Sequence, residues 1–318
     1  MTILVITDHH QGKLKKFTLE TLSSARRLCN DNNGKLIALI MGSNLENLAE
    51  KTAIYGADLI VLAEHSLLSE YTSDLYAKVA YDVIQHYRPD IIFFNNTFQG
   101  KDLAASIAAH ISAPLITDCI NISIHEEECQ VTRPMYGGKI LADIQIEGKP
   151  FILSCRQGIM PITEINGEGK IERINVSIEH SKIKILSVEK SADKLDVTDA
   201  DIVVSGGRGM GGADFSILEE LAQLLNGAVG ASRSAVDEGW RPANEQIGQT
   251  GKVISPKLYI ACGISGAIQH YAGISTSNKI LAINNDPEAP IFSKSDYGII
   301  GDLFEIIPLL TQELRQSL

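Results

Sequence analysis

No apolar run in this sequence is long enough to cross a bilayer, which leaves no candidate for a membrane-spanning helix. The opening, Met1-Thr2-Ile3-Leu4-Val5-Ile6-Thr7, enters a strand at once and carries no basic leader or cleavage site. A cytoplasmic protein without stable membrane insertion is expected. Basic charge is scarce: 28 Lys and Arg stand against 39 Asp and Glu, a net charge of −11. Nucleic acid and anionic membranes need a basic surface, so neither is an expected partner. The five cysteines, Cys29, Cys119, Cys129, Cys155 and Cys262, form no CxxC pair and no zinc-like spacing. They fit buried thiols in a reducing compartment, with metal ligation not expected. No Ser-His-Asp set, Cys-His pair or paired carboxylates stand out, so hydrolysis is not indicated. Short-period repeats and low-complexity tracts are also missing.

What is present is ordinary globular chain: 318 residues, 44% apolar and 21% charged, enough for two domains with real cores. Apolar strand-like runs at Ile3 to Thr7, Leu36 to Met41, Asp58 to Leu62 and Asp90 to Asn95 alternate with helical spacing at Phe17 to Asn30, Leu45 to Tyr55, Tyr71 to His86 and Lys101 to His110. That alternation implies an α/β domain on a parallel sheet. Between Ile116 and Cys155 the pattern changes. Ile120 to Ile124, Ile140 to Ile146 and Phe151 to Cys155 alternate around Gly137-Gly138 and Gly148-Lys149-Pro150, and are expected to complete the sheet as antiparallel strands. Asn95 to Lys101 resembles a phosphate loop only superficially. Its first glycine is missing and Asp102 replaces the hydroxyl, so a structural loop is expected. Arg133, Tyr136, Lys139 and Arg156 read as solvated or locally paired positions that could also face a partner.

The chain becomes charged and unpatterned at Glu189 to Lys194, which puts the domain boundary between about Lys190 and Thr198: an N-terminal domain over 1–192 and a C-terminal domain over 198–318. The second domain repeats the α/β pattern. Strands are expected at Ile202 to Val204, Ala228 to Gly230, Leu258 to Cys262, Lys279 to Asn284 and Tyr297 to Ile300, and helices at Phe215 to Leu225 and Leu303 to Arg315. Gly206, Ser232, Gly263 and Asn284 fall at the carboxyl ends of these strands, where ligands gather in parallel sheets. Glycines there let a backbone approach a ligand, and the intervening hydroxyl, amide and imidazole groups can hydrogen-bond it.

Gly207-Arg208-Gly209-Met210-Gly211-Gly212 fits G-x-G-x-x-G, a pattern that places pyrophosphate at a helix N-terminus. The acid expected about twenty residues on, for a ribose, is replaced by Ser232-Arg233, which disfavours a standard NAD site. Arg208 and Arg233 follow strands among small residues. Each alone reads as a surface arginine; beside a redox ring, either guanidinium would stabilise added negative charge. His270 closes the Gly263 segment and reads either as a structural histidine or as a donor to a ring carbonyl. His9, His10, His65, His86, His110, His125 and His180 lack partner spacing.

Five blocks of the second domain closely resemble the alpha subunit of electron transfer flavoproteins: Ser205 to Gly209, Ala228 to Arg233, Gln246 to Gly251, Gly263 to His270 and Ala282 to Phe292. The resemblance implies two Rossmann-like domains, the first with added antiparallel strands and the second a parallel-sheet FAD-binding domain. It implies a heterodimer whose beta subunit packs against both domains. By similarity the FAD site comprises Arg208, Ser232, Arg233, Gln246, Ile247, Gly248, Gln249, Thr250, Ser265, Gly266, Ala267, Ile268, Gln269, His270, Asn284, Asp302 and Leu303. Arg233, Thr250 and His270 would lie near the isoalloxazine, with Arg233 favouring negative charge on the reduced ring. Asn284, Asp302 and Leu303 would serve the adenosine half. The function implied is electron carriage from a partner dehydrogenase, commonly an acyl-CoA dehydrogenase as in fatty acid beta-oxidation, to a second partner. Two alternatives stay open: a subunit of an electron-bifurcating, NADH-oxidising complex with a second FAD, and a plain NAD-binding domain.

Overall fold

A computed structural model describes residues 1–10, 12–125, 128–136, 138–165, 167–188 and 195–317. Gly137 of the expected turn and residues 189–194 of the expected boundary lie outside the described residues. Contacts divide the chain into two units, Met1–Glu189 and Lys190–Leu318.

In the first unit the elements run β1 (Thr2–Ile6), the short pair β2 (His9–His10) and β3 (Lys13–Leu14), α1 (Lys16–Asp31), β4 (Lys35–Gly42), α2 (Glu46–Ile54), β5 (Leu59–Glu64), α3 (Ser73–Tyr87), β6 (Ile91–Asn95) and α4 (Phe98–Ile111). Then come β7 (Leu115–Cys119), β8 (Asn121–His125), β9 (Glu128–Met135), β10 (Ile140–Ile146), β11 (Phe151–Cys155) and β12 (Lys170–Arg173). The main sheet has seven strands in the order β12-β5-β4-β1-β6-β11-β7, every pair parallel. Its central strands are apolar on both faces because both are covered, one by a cluster around Ile3, Leu22 and Phe93 and the other by one around Leu4, Val83 and Phe94.

Here the expectation for the antiparallel strands is corrected. β8, β9 and β10 do not complete the main sheet but form a separate three-stranded antiparallel sheet. β11 instead joins the main sheet as a parallel strand between β6 and β7. The reason is burial. Every residue of β11 is buried, as a central parallel strand requires, whereas β9 alternates, with Cys129 and Val131 turned to the core and Glu128 and Gln130 to solvent. The stretch from Asn95 to Lys101 also differs from the expected loop. Helix α4 begins at Phe98, with the Thr97 hydroxyl accepting from the Gly100 N–H at 2.9 Å and donating to Asp8 at 2.8 Å.

The second unit runs β13 (Ile202–Gly206), α5 (Ser216–Leu224), β14 (Ala228–Ser232), α6 (Arg233–Asp237), β15 (Gln246–Ile247), β16 (Leu258–Cys262), α7 (Ile268–Tyr271), β17 (Lys279–Asn284), β18 (Tyr297–Ile300) and α8 (Leu303–Ser317). Its six strands lie in the order β15-β14-β13-β16-β17-β18, all parallel. From β13 the chain winds outward through β14 to β15, and from β16 outward the other way through β17 to β18. The order therefore reverses between β13 and β16, and a crevice lies at the carboxyl edge of this switch point. Apolar clusters around Tyr259, Ile274 and Ile291 on one face, and around Phe215, Leu218 and Ile307 on the other, hold this edge rigid.

Candidate functional site

The crevice is a cleft of about 630 Å³, within the ordinary range for a cofactor site. Its floor is set by how closely two loops approach. The Gly207 N–H donates to the Cys262 carbonyl at 2.9 Å and the Gly209 N–H to the Gly263 carbonyl at 3.0 Å. A Cβ at Gly207 would stand 2.3 Å from the Gly263 oxygen, and one at Gly209 would stand 2.6 Å from the Gly263 Cα. Gly211 and Gly212, in contrast, have nothing within 4 Å of such a Cβ. The G-x-G-x-x-G match thus reflects loop-on-loop packing at its first two glycines. At the start of α5 the Asp214 carboxylate accepts from the Ser216 N–H at 3.0 Å, which opposes an anion there.

Twelve of the residues named from the sequence line the cleft: Arg208, Ser232, Arg233, Ile247, Gly248, Gln249, Thr250, Ser265, Ala267, Gln269, His270 and Asn284. The remaining five stand off its wall. Gln246 donates to the Thr250 hydroxyl at 3.0 Å and so orients it. Gly266, at φ +82°, packs on the Ile291 backbone, and Ile268 is largely exposed on α7. Asp302 accepts from the Phe304 N–H at 2.8 Å at the start of α8, and Leu303 is buried beneath Gly263.

Several lining groups are already engaged. Ser232 caps α6 by accepting from the Ala235 N–H at 3.4 Å. The Asn284 amide donates to the Ile264 carbonyl at 3.0 Å while its oxygen accepts from the Asp286 N–H at 3.0 Å, so it ties the β16 and β17 loops together. Arg233 is exposed and has a partner of its own. One turn along α6, Asp237 accepts from its Nε at 3.2 Å. Asp237, Asp286 and Pro290 also line the cleft, and sequence reasoning had not placed them in the site. The signal for Asp237 was its i,i+4 spacing from Arg233 on a short helix.

His270 is buried beneath this surface. Its Nε2 lies 2.8 Å from the Tyr259 hydroxyl, and its Nδ1 is sealed from solvent. Burial pushes the imidazole down to about 4, against a smaller opposing influence of the Ile247 backbone, so the ring is neutral at physiological pH. The cleft therefore offers two guanidiniums, several hydroxyls, close-approaching glycine backbone and one neutral imidazole. It suits a polar, anionic, ring-bearing ligand. Among the described residues no group of three His, Cys, Asp or Glu side chains could hold a metal ion, and all five cysteines are free and buried.

Elsewhere, Arg156 of the first unit forms a two-point ion pair with Asp118, its Nε at 2.8 Å from Oδ1, and Tyr136 is exposed. No described helix is long and apolar enough to cross a membrane.

Comparison with known proteins bears on both units. Residues 3–179 match the Electron transfer flavoprotein domain, and residues 196–275 match the Electron transfer flavoprotein FAD-binding domain. An electron transfer flavoprotein subunit alpha from Thermoanaerobacterium thermosaccharolyticum is 44% identical over 99% of this chain and 98% of its own. The chain belongs to the electron transfer flavoprotein alpha-subunit family. Another member, from Bacillus subtilis, is 42% identical over 99% of this chain and 97% of its own. An acryloyl-CoA reductase electron transfer subunit beta from Anaerotignum propionicum is 35% identical over 99% and 96%. As a member of this family the chain is a flavin-binding subunit of an electron transfer flavoprotein.

Proposed function

We propose that the second unit binds FAD in the switch-point cleft. Paired with a beta subunit, the chain would then carry electrons from a partner dehydrogenase, of the acyl-CoA dehydrogenase class, to a second partner. The observation that carries this reading is the cleft's combination of glycine backbone, Arg208 and Arg233, and a histidine held neutral, with no group placed as a catalytic base. FAD supplies the electron chemistry. The residues of this chain hold and tune it. Gly209 and Gly263 let backbone come close, Gln246 orients the Thr250 hydroxyl, and Asn284 fixes the loop beyond β16. Arg233, Thr250 and His270 serve the isoalloxazine end. Asn284 serves the adenosine end, with Asp302 and Leu303 supporting it from behind the wall.

Co-purification with the beta subunit, followed by an absorbance spectrum and cofactor extraction, tests the reading. Flavin absorbance and FAD in the extract are expected, whereas a colourless complex that binds NAD would overturn it. One FAD with AMP marks a simple carrier, and two FAD with NADH oxidation mark a bifurcating complex.

Arg233 offers a sharper test. A guanidinium about 4 Å from the ring favours added negative charge by about 1 kcal/mol in water-like surroundings and about 4 kcal/mol at an effective dielectric near 20. For one electron that is roughly 40 to 170 mV. Because Arg233 is exposed and paired with Asp237, the lower figure is the better guide. Arg233→Ala should lower the flavin midpoint potential by about 40 mV. Asp237→Asn should raise it, and an unchanged potential in a fully loaded Arg233→Ala protein refutes the role.

A further inference from the structure

Behind His270 stands a residue outside the cleft wall. Tyr259, on β16, is completely buried in the apolar cluster under the cleft. Its phenol oxygen lies 2.8 Å from His270 Nε2, with the two rings 6.0 Å apart and inclined at 46°. A phenol has a single proton to donate, and a neutral imidazole has a single nitrogen able to accept it. Burial drives the Tyr259 phenol far above its ordinary value, so it stays protonated. Ser205 Oγ on β13, itself buried, stands beside the phenol and opposes that rise as a donor toward its oxygen.

We propose that Tyr259 is a positioning residue: by donating to Nε2 it holds His270 as the neutral Nδ1–H tautomer, so that this wall of the cleft presents an imidazole dipole without a charge. With the proton on Nε2 instead, the phenol would have to turn its own hydrogen from the imidazole to the Ser205 hydroxyl and lose the support that hydroxyl gives its oxygen as a donor. The remaining N–H then lies at Nδ1, sealed from solvent in the wall.

Among the described residues no charged side chain acts on the ring. On β16 the titratable group that meets the ring is Tyr259, with Cys262 further along the same strand; on α7 Tyr271 is next in sequence; residues 246–250 contribute none. Arg208, Arg233, Asp237 and Asp286 line the same cleft, yet only burial and the Ile247 backbone act on the ring. A bound flavin would meet an unchanging dipole there, so its potential would carry no proton-linked step from His270. That last consequence rests on the FAD reading; the tautomer does not.

The test uses the heterodimer labelled with ¹⁵N-histidine, the His270 signal being assigned by its loss in His270→Gln. Long-range ¹H–¹⁵N correlation distinguishes a protonated from an unprotonated ring nitrogen. In the parent protein Nδ1 should appear protonated and Nε2 unprotonated, unchanged from pH 8 to pH 5.5. Tyr259→Phe removes only the hydroxyl. It should shift the ring toward Nε2–H, or bring its protonation up into the pH range scanned, and in the latter case add a proton-linked inflection to the flavin potential. A parent protein in which Nε2 carries the proton, or in which His270 titrates near its ordinary pH, overturns the proposal whether or not the variant folds. A folded Tyr259→Phe protein with the parental pattern also overturns it. Absence of flavin from the complex would overturn the FAD reading and leave the tautomer measurement standing.

Discussion

At the scale of single residues, the neutrality of His270 has a thermodynamic consequence. Its value falls from the ordinary 6.5 to about 4 on folding. Below pH 6.5 the unfolded chain binds a proton that the folded ring refuses. The contribution to stability is therefore complete above about pH 6.5 and lost as pH falls toward 4, about 3 kcal/mol in all and about 2 kcal/mol of it between pH 7 and pH 5. His270→Gln removes this term. Its Tm should fall less than that of the parent protein between pH 7 and pH 5, and parallel curves would rule the effect out. The residue types of the site were legible in the sequence because hydroxyls, arginines and glycines cluster after strands. Their engagements were not. That Asn284 spends its amide on the Ile264 carbonyl, or that Asp237 reaches back to Arg233, depends on loop geometry that no spacing rule supplies.

Among the elements, the loops after β13 and β16 decide the shape of the cleft, and their glycines divide into two kinds. Gly209 has no room for a Cβ against Gly263, while Gly212 lies in open space. Gly209→Ala should therefore cost about 1–3 kcal/mol of stability and loosen flavin retention, because the two loops must part. Gly212→Ala should change stability by no more than about 0.5 kcal/mol. Equal costs, read from denaturation midpoints and flavin release, would show that the packing of Gly209 on Gly263 does not set the cleft. The strand and helix pattern itself was readable from period and β-branched content, and nearly every expected element of both units is found within a few residues. The exception is instructive. Three strands alternating around turns suggest a hairpin series, yet β11, with its run Phe151-Ile152-Leu153-Ser154-Cys155, has the uninterrupted burial of a central parallel strand. The missing strand between β8 and β10 is β9, whose Pro134 and polar residues hide its alternation.

For the whole molecule, the five thiols report on opening. All are buried, and burial raises Cys29 and Cys129 to about 11 and Cys119 and Cys262 to about 12, with Cys155 also raised. None should react with a thiol reagent at pH 8 until the chain opens, and all five should react in denaturant. Cys262 ends β16 beside Gly206, under the cleft, whereas the other four lie in the first unit. If the two units open separately, added flavin should slow the labelling of Cys262 alone; rapid labelling of any thiol in the native heterodimer would contradict its burial. At the far side of the second sheet, among the described residues, β18 pairs with β17 alone, and all four of its residues are exposed, Tyr297 at 61% and Ile300 at 63%. An apolar edge of this kind is a template for any passing strand. The hazard arises during synthesis: copies of this chain made in excess of whatever covers that edge can seed strand-to-strand aggregation.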